Sequence, residues 1–310
     1  MGLIASGVAM VLLYDCLVEA NTSNYRTVPW SDDGIDGSEI LNQSLPPLAI
    51  DSSRLYFNRI PKAASTSMLN ILHALSAKNN FTHKSSSVYN MRILTSEQQN
   101  ELAASVVESE APVTFDRHVH FVNFNSLGFD SPIFINMVRD PVERIISDYY
   151  YRRSVARKHI DSYAVTPSKF WLEKSLEECI RRSDDECQYM TGYLQVGHMV
   201  PYFCGHHQKC MVVNDEWALE QAKKNIERYY DVVGLVEMLA ETIAVLEKRL
   251  PQFFSGASEI LTRIGPHNVN LEKPSVDAAA RNELKQNLTN DMILYNFIRD
   301  RLLRQIAELE

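Results

Sequence analysis

Glycine is scarce in this chain, 11 of 310 residues, and the stretch 54–78, RLYFNRIPKAASTSMLNILHALSAK, contains none. The nucleoside-triphosphatase loop, GxxxxGK followed by Ser or Thr, requires two glycines for its backbone N–H groups to close on phosphate. Their lack here argues against a magnesium-dependent kinase or ATPase. No apolar run reaches the ~20 residues needed to span a bilayer. The N-terminal run Leu3–Leu13 is about half that length and lacks the basic flank of a secretory signal. Positive charge is also short: 31 Lys and Arg stand against 39 Asp and Glu, a formal net charge of −8, which argues against broad nucleic-acid binding. Repeats and low-complexity domains are lacking. What remains is 45% hydrophobic, enough for one large α/β domain with a buried sheet. Residues 1–14 read as a short apolar segment, a truncated anchor, and 15–50, with Pro46-Pro47 and many Asn, Ser, Asp and Gly, as a flexible stem. The domain proper is 51–310.

Three local patterns carry chemistry. In the first, Leu55 and Phe57 alternate with polar neighbours as in a strand. Arg59-Ile60-Pro61-Lys62 forms a turn, and Ser65-Thr66-Ser67 opens a helix whose Met68, Ile71, Leu72 and Leu75 share one face. A helix N-terminus with unpaired N–H groups favours an anion, and Lys62 adds a full charge; the bland alternative is a surface lysine beside ordinary helix caps. In the second, the apolar run Ile133–Val138 ends at Arg139, Asp140 reads as N-cap, Pro141 as first helical residue and Glu143 as the return half of a capping box. Ser147 lies two turns into that helix. Ligands of open parallel sheets bind outside such strand ends. In the third, Asp116-Arg117-His118-Val119-His120 supplies two histidines for proton transfer near neutral pH, or two ordinary strand residues. Periodicity predicts further helices at Ser168–Arg182, Glu216–Tyr229, Glu237–Leu250, Val276–Asn287 and Asn290–Leu309, with a strand at Asp231–Val236.

RIPKAASTS, VRDPVERIISDYY, RHVHFVNF, PYFCGHHQKC and EWALEQAKKNI together resemble the glycosaminoglycan 2-O-sulfotransferase family, and within it the uronyl and insect Pipe branch. The resemblance runs from about Arg54 to about Gly256. It implies a three-layer α/β/α domain with a central parallel sheet, a P-loop NTPase-like sulfotransferase fold with a helical C-terminal extension. It also implies transfer of a sulfuryl group from 3′-phosphoadenosine 5′-phosphosulfate (PAPS) to the 2-hydroxyl of a uronic acid, without a metal. By matched position Lys62 contacts the bridging oxygen and sulfuryl group, with Arg59 nearby. Ala63, Ala64, Ser65, Thr66 and Ser67 hold the 5′-phosphate, Arg139 and Ser147 the 3′-phosphate, and His118 is the general base. Where heparan-type members carry a second histidine this chain has Asp116. Asn70 matches a substrate-contacting asparagine. Arg152 and Arg153, in a cationic cluster with Arg144, Arg157 and Lys158, are candidates for a uronate carboxylate or sulfate, although a solvated helix face would carry the same residues.

Five cysteines bear on the compartment. The resemblance implies bridges Cys179–Cys187 and Cys204–Cys210, while the sequence alone allows other connectivities and a zinc set of Cys204, His206, His207 and Cys210. Sequons at Asn21, Asn42, Asn80 and Asn287 and the family's habit of Golgi anchoring give the expectation of a lumenal domain on the Golgi membrane. The resemblance further implies a glycosaminoglycan or glycoprotein glycan as acceptor and a homotrimer through the C-terminal region. The competing class is a catalytically inactive glycan-binding protein of the same fold.

Overall fold

The computed structural model describes residues 48–88, 91–160, 166–188, 198–265 and 274–309. The N-terminal apolar segment, nearly all of the stem and the sequons at Asn21 and Asn42 lie outside the described residues. No helix among the described residues is long and apolar enough to cross a membrane.

Five parallel strands form one sheet in the order β2-β3-β1-β4-β5. They are β1 (Ile50–Asn58), β2 (Thr82–Ser85), β3 (Val113–Arg117), β4 (Ser131–Val138) and β5 (Tyr230–Leu235). β1 lies at the centre, paired on one side with β3 and on the other with β4. A central parallel strand is covered on both faces, so Tyr56 is buried along with Leu55 and Phe57. The alternation read there from sequence was therefore polar only by residue type. The connection from β1 leads through helix α1 (Ser65–Lys78) to the far edge, and the chain then returns to β3 before crossing to β4. This reversal sets the strand ends of β1, β3 and β4 around one crevice.

Helix α1 buries Ser67, Met68, Ile71, Leu72 and Leu75, the face expected from spacing. Helix α2 (Ser96–Val107), not among the helices expected from periodicity, starts on a full capping box, in which the Thr95 hydroxyl accepts from Gln98 N at 3.2 Å and the Gln98 amide oxygen accepts from Thr95 N at 3.0 Å. Helix α3 (Pro141–Lys158) follows β4 as expected, with the Asp140 carboxylate accepting from Glu143 N at 2.9 Å. The helix expected at 168–182 is two: α4 (Lys169–Glu173) and α5 (Leu176–Arg181). Both Ser168 and Ser175 act as N-caps, and the second cap interrupts the first helix. Short α6 (Asp185–Gln188) and α7 (Val200–Cys204) lead to α8 (Glu216–Tyr229), which enters β5 directly.

The C-terminal part holds α9 (Leu239–Arg249), α10 (Pro251–Phe254), α11 (Ala257–Ile264), α12 (Ala278–Asn287) and α13 (Thr289–Ala307). Leu294, Ile298 and Leu302 of α13 are in the main core. On the same helix, Arg301 and Gln305 cap the β5 edge by donating to the Tyr230 and Asp231 carbonyls at 2.6 to 3.2 Å. Buried Asp291 anchors the start of α13 by accepting from Met199 N and Val200 N at 2.9 to 3.0 Å. Burial works to raise its pKa, but His198, Arg144 and those N–H groups hold the carboxyl below the usual range. Packing at β5 leaves no room for a side chain at Gly234, where a Cβ would meet Thr242 Cγ2 at 2.0 Å and Met137 Sδ at 2.7 Å. We expect Gly234→Ala to lower unfolding free energy by about 1–3 kcal/mol. An unchanged urea midpoint would show that the sheet yields there at no cost.

Candidate active site

The crevice is held open by a buried knot at the end of β1. Asn58 donates to the Tyr202 carbonyl at 3.0 Å, its amide oxygen accepts from Asn136 Nδ2 at 3.0 Å and from the Tyr230 hydroxyl at 2.9 Å, and its carbonyl accepts from Asn136 at 2.6 Å. Side chains of β1, β4 and β5 thus lock the strand ends in register, and the loops leaving them start from fixed points.

The turn after β1 solves the missing-glycine problem by force. Lys62 and Ala64 adopt left-handed backbone conformations, φ 63° and 56°, which for residues with a Cβ cost about 1 kcal/mol or more each. Alternation of this kind turns successive N–H groups toward one concavity, the geometry of an anion nest. Ala63 is buried beneath it, and the Ser65 hydroxyl donates back to the Ile60 carbonyl at 3.3 Å. Thr66 is exposed and Ser67 buried at the opening of α1.

Lys62 Nζ sits 3.5 Å from the centroid of the Tyr151 ring. Burial pushes its pKa down to about 8, with Asp148 working against that and Arg139 adding to it. The two anion-binding residues expected from separate motifs, Lys62 and Arg139, are therefore close enough to feel one another. Asp148 and Tyr151 are on one face of α3, and Ser147, four residues before Tyr151, shares it. Arg139 is a quarter exposed, 3.9 Å from Glu143, whose carboxylate also takes Arg281 of α12 at 2.6 Å.

The histidine motif leaves the sheet earlier than its alternation suggests. β3 ends at Arg117, and His118 occupies the loop at its carboxyl end. There His118 Nδ1 lies 3.0 Å from the Arg59 carbonyl. The carbonyl can only accept, so Nδ1 carries the proton and Nε2 is left with its lone pair. Burial lowers the imidazole's pKa well below the usual histidine range, and the cations Arg59 and Arg92 push the same way. His118 is thus neutral at physiological pH and bonded to the carbonyl of Arg59, three residues before Lys62. His120 is fully buried, its ring against Tyr202 at 4.9 Å and His206 at 5.8 Å, so it belongs to the floor of the crevice.

Other expected contacts divide. Asn70 is half-buried on α1. Arg152 is paired along its helix with Asp148 at 3.0 Å. Arg153 does not face the crevice; it is 1% exposed, stacked 3.4 Å over the Tyr149 ring and bonded to Glu186 at 2.9 Å. Arg144 of the same cationic cluster is also wholly buried. A solvated basic face was thus the wrong reading for two of these residues. Sequence reasoning missed Arg92, Asp148 and Tyr151. Asp148 is Ser147's neighbour and Tyr151 lies one turn further along the same helix, so both could have been found from Ser147, whereas Arg92 sits in a loop with no motif.

Both bridges are formed as expected, Cys179–Cys187 with Cα atoms 6.0 Å apart and Cys204–Cys210 with Cα atoms 5.6 Å apart. The second ties up the two sulfurs of the alternative zinc set, and His206 Nδ1 accepts from Leu94 N at 3.0 Å instead.

Parallel strands thus end at a turn with two left-handed residues, near a lysine, an arginine and an oriented imidazole, in an α/β protein. The chain belongs to the sulfotransferase family, whose model matches residues 48–298. It is 33% identical over 256 residues to the uronyl 2-sulfotransferase of Mus musculus, covering 80% of this chain and 62% of that protein. The uronyl 2-sulfotransferase homolog pip of Drosophila melanogaster matches at 32% over 276 residues, 82% of this chain and 53% of that one. Heparan sulfate 2-O-sulfotransferase 1 of Xenopus laevis matches at 33% over 235 residues, 73% and 64% respectively. The chain therefore spans between about half and two thirds of the length of these curated relatives.

Proposed function

We propose that this chain is a PAPS-dependent sulfotransferase that moves a sulfuryl group to the 2-hydroxyl of a uronic acid in a glycosaminoglycan or related glycan. The observation that carries the reading is His118, its Nδ1 committed to the Arg59 carbonyl, at the mouth of the turn that bears Lys62. The acceptor hydroxyl gives its proton to His118 Nε2 as its oxygen bonds to sulfur. The bond from sulfur to the bridging oxygen breaks, and its electron pair stays on the departing 5′-phosphate. Lys62 and the N–H groups of 63–67, with the hydroxyls of Ser65, Thr66 and Ser67, are aimed at that growing charge, by analogy with phosphoryl transfer. Arg139 and Ser147 bind the 3′-phosphate, with Asn70 and Arg152 turned to the acceptor. Two short-loop disulfides suit an oxidising compartment, and the sequon at Asn80 is exposed. A Golgi-lumenal domain on a membrane anchor, assembled as a trimer, completes the reading.

The test is incubation with PAPS and a panel of desulfated heparan, chondroitin and dermatan acceptors, followed by disaccharide analysis. Uronic acid 2-O-sulfate is the expected product. Binding of acceptor with no transfer would instead identify a glycan-binding protein of this fold.

The two shifted groups also fix a pH profile. The base must be unprotonated, so kcat/KM rises with pH through the low pKa of His118, with its acid limb below pH 6.5. The ammonium must be protonated, so kcat/KM falls as pH passes about 8. Bound donor favours the charged lysine, which moves the alkaline limb of kcat upward. An acid limb above pH 6.5 in kcat/KM would contradict the assignment of His118.

A further inference from the structure

We infer that Asp116 is the positioning residue of this site, holding His118 in its working tautomer and orientation through Arg59; the inference rests on the reading of His118 as the base. Asp116 is the penultimate residue of β3, and its carboxylate is fully buried. One carboxylate oxygen forms an ion pair with Arg59 Nε at 2.9 Å; the other lies 3.1 Å from His83 Nε2 and accepts from the Ser85 hydroxyl at 2.5 Å. The other nitrogen of His83 meets Thr114 Oγ1 at 2.7 Å, and the His73 ring stands edge-on to His83 at 4.5 Å. Arg59 is thereby fixed at both ends. Its side chain is 4% exposed against the carboxylate, and its peptide is pinned by N–H donation to the Arg117 carbonyl at 2.8 Å and by the bond its carbonyl accepts from His118 at 3.0 Å.

A continuous line of contacts thus runs from carboxylate to guanidinium to peptide carbonyl to imidazole. Arginine has a long, rotamer-rich side chain, and it opens a turn that already contains two left-handed residues. Removal of the buried carboxylate would take away the anion 2.9 Å from the buried Arg59 Nε, loosening the side chain and with it the carbonyl that orients His118. The electrostatic consequence has a definite sign. Arg59 and Arg92 are the cations facing His118, and Asp116 neutralises the first of them. His83, His73 and Tyr56 are further titratable groups that act on the carboxylate. Loss of the negative charge exposes His118 to the full field of Arg59 and makes the imidazole a weaker base.

The experiment compares Asp116→Asn, His118→Ala and the double variant in the full oxidised chain, using PAPS and the best acceptor of the panel. Nuclear magnetic resonance of histidine nitrogens follows the titration of His118. Asp116→Asn should lower kcat about tenfold to a hundredfold, as when outer partners that orient a working imidazole are lost, with donor KM within about threefold. The acid limb of the rate profile and the His118 titration should move together to lower pH. In the His118→Ala background the same change should have little further effect, because both act through one unit.

An unchanged kcat, an unmoved His118 titration, or an equal loss in the absence of His118 would each overturn the inference. Full turnover by His118→Ala would instead sink the base assignment itself, while the titration would still report whether Asp116 sets the imidazole. Should Asp116→Asn fail to fold, Asp116→Glu keeps the charge but crowds Arg59. It should lower kcat with the His118 titration in place, and full activity in that variant would refute the positioning role.

Discussion

Replacing His118 by alanine is expected to reduce sulfuryl transfer about 10^2- to 10^4-fold, the range for removing a positioned general base, while adenosine 3′,5′-bisphosphate still binds within about twofold of the parent. The split follows from where the imidazole stands. Its Nδ1 is bonded to the Arg59 carbonyl at 3.0 Å, and neither element proposed for phosphate is built on it: the turn at 62–64 is shaped by backbone, and Arg139 leaves a different strand. The imidazole is half-buried, so truncation opens space at the crevice wall without creating a closed core cavity. Rates with labelled PAPS and titration of the bisphosphate on the same preparation check both halves. Turnover within tenfold of the parent would remove His118 from the chemistry.

Lys62→Ala should cost about 10^2- to 10^3-fold in kcat, comparable with loss of one donor aimed at a charge that develops only in the transition state. The side chain is pre-desolvated: burial already pushes its pKa to about 8, and the Tyr151 ring holds the ammonium at 3.5 Å. A cation kept out of bulk water loses little hydration when the leaving phosphate takes on charge, so its effect falls more on kcat than on binding. Lys62→Arg should recover only part of the loss, since a planar guanidinium does not reproduce a compact point charge. Donor KM rising hundredfold with kcat unchanged would recast Lys62 as a binding residue alone.

Much of the frame proposed to hold the phosphates was legible because each half of it is local. Strand, polar turn and helix cap occupy consecutive residues around Lys62 and again around Arg139, and their periodicities name the elements directly. Parallel pairing of β1 with β4 then brings the two together, which is where local reading turns into a site. The failures have the opposite character. The alternative of two ordinary strand histidines fails because β3 ends at Arg117, whose carbonyl accepts from Arg59 N, a residue 58 positions away in the chain. Charge alone suggests a solvated face for Arg144 and Arg153; buried Asp291, acting on Arg144, and partly exposed Glu186, bonded to Arg153, decide otherwise. The role of Asp116 was likewise unreadable, since Arg59, His83 and Ser85 are gathered around it only by the sheet.

The most direct test of the central claim, that two strand ends grip one donor carrying separate phosphates, is calorimetric titration of the oxidised protein with adenosine 3′,5′-bisphosphate and with adenosine 5′-monophosphate. Charge-assisted hydrogen bonds of about 1.5–3 kcal/mol at Arg139 predict that the bisphosphate binds about tenfold to a hundredfold more tightly, and that Arg139→Ala brings the two nucleotides close to parity. Absence of any saturable uptake of the bisphosphate, or equal affinity for both nucleotides in the unmodified protein, would contradict the account.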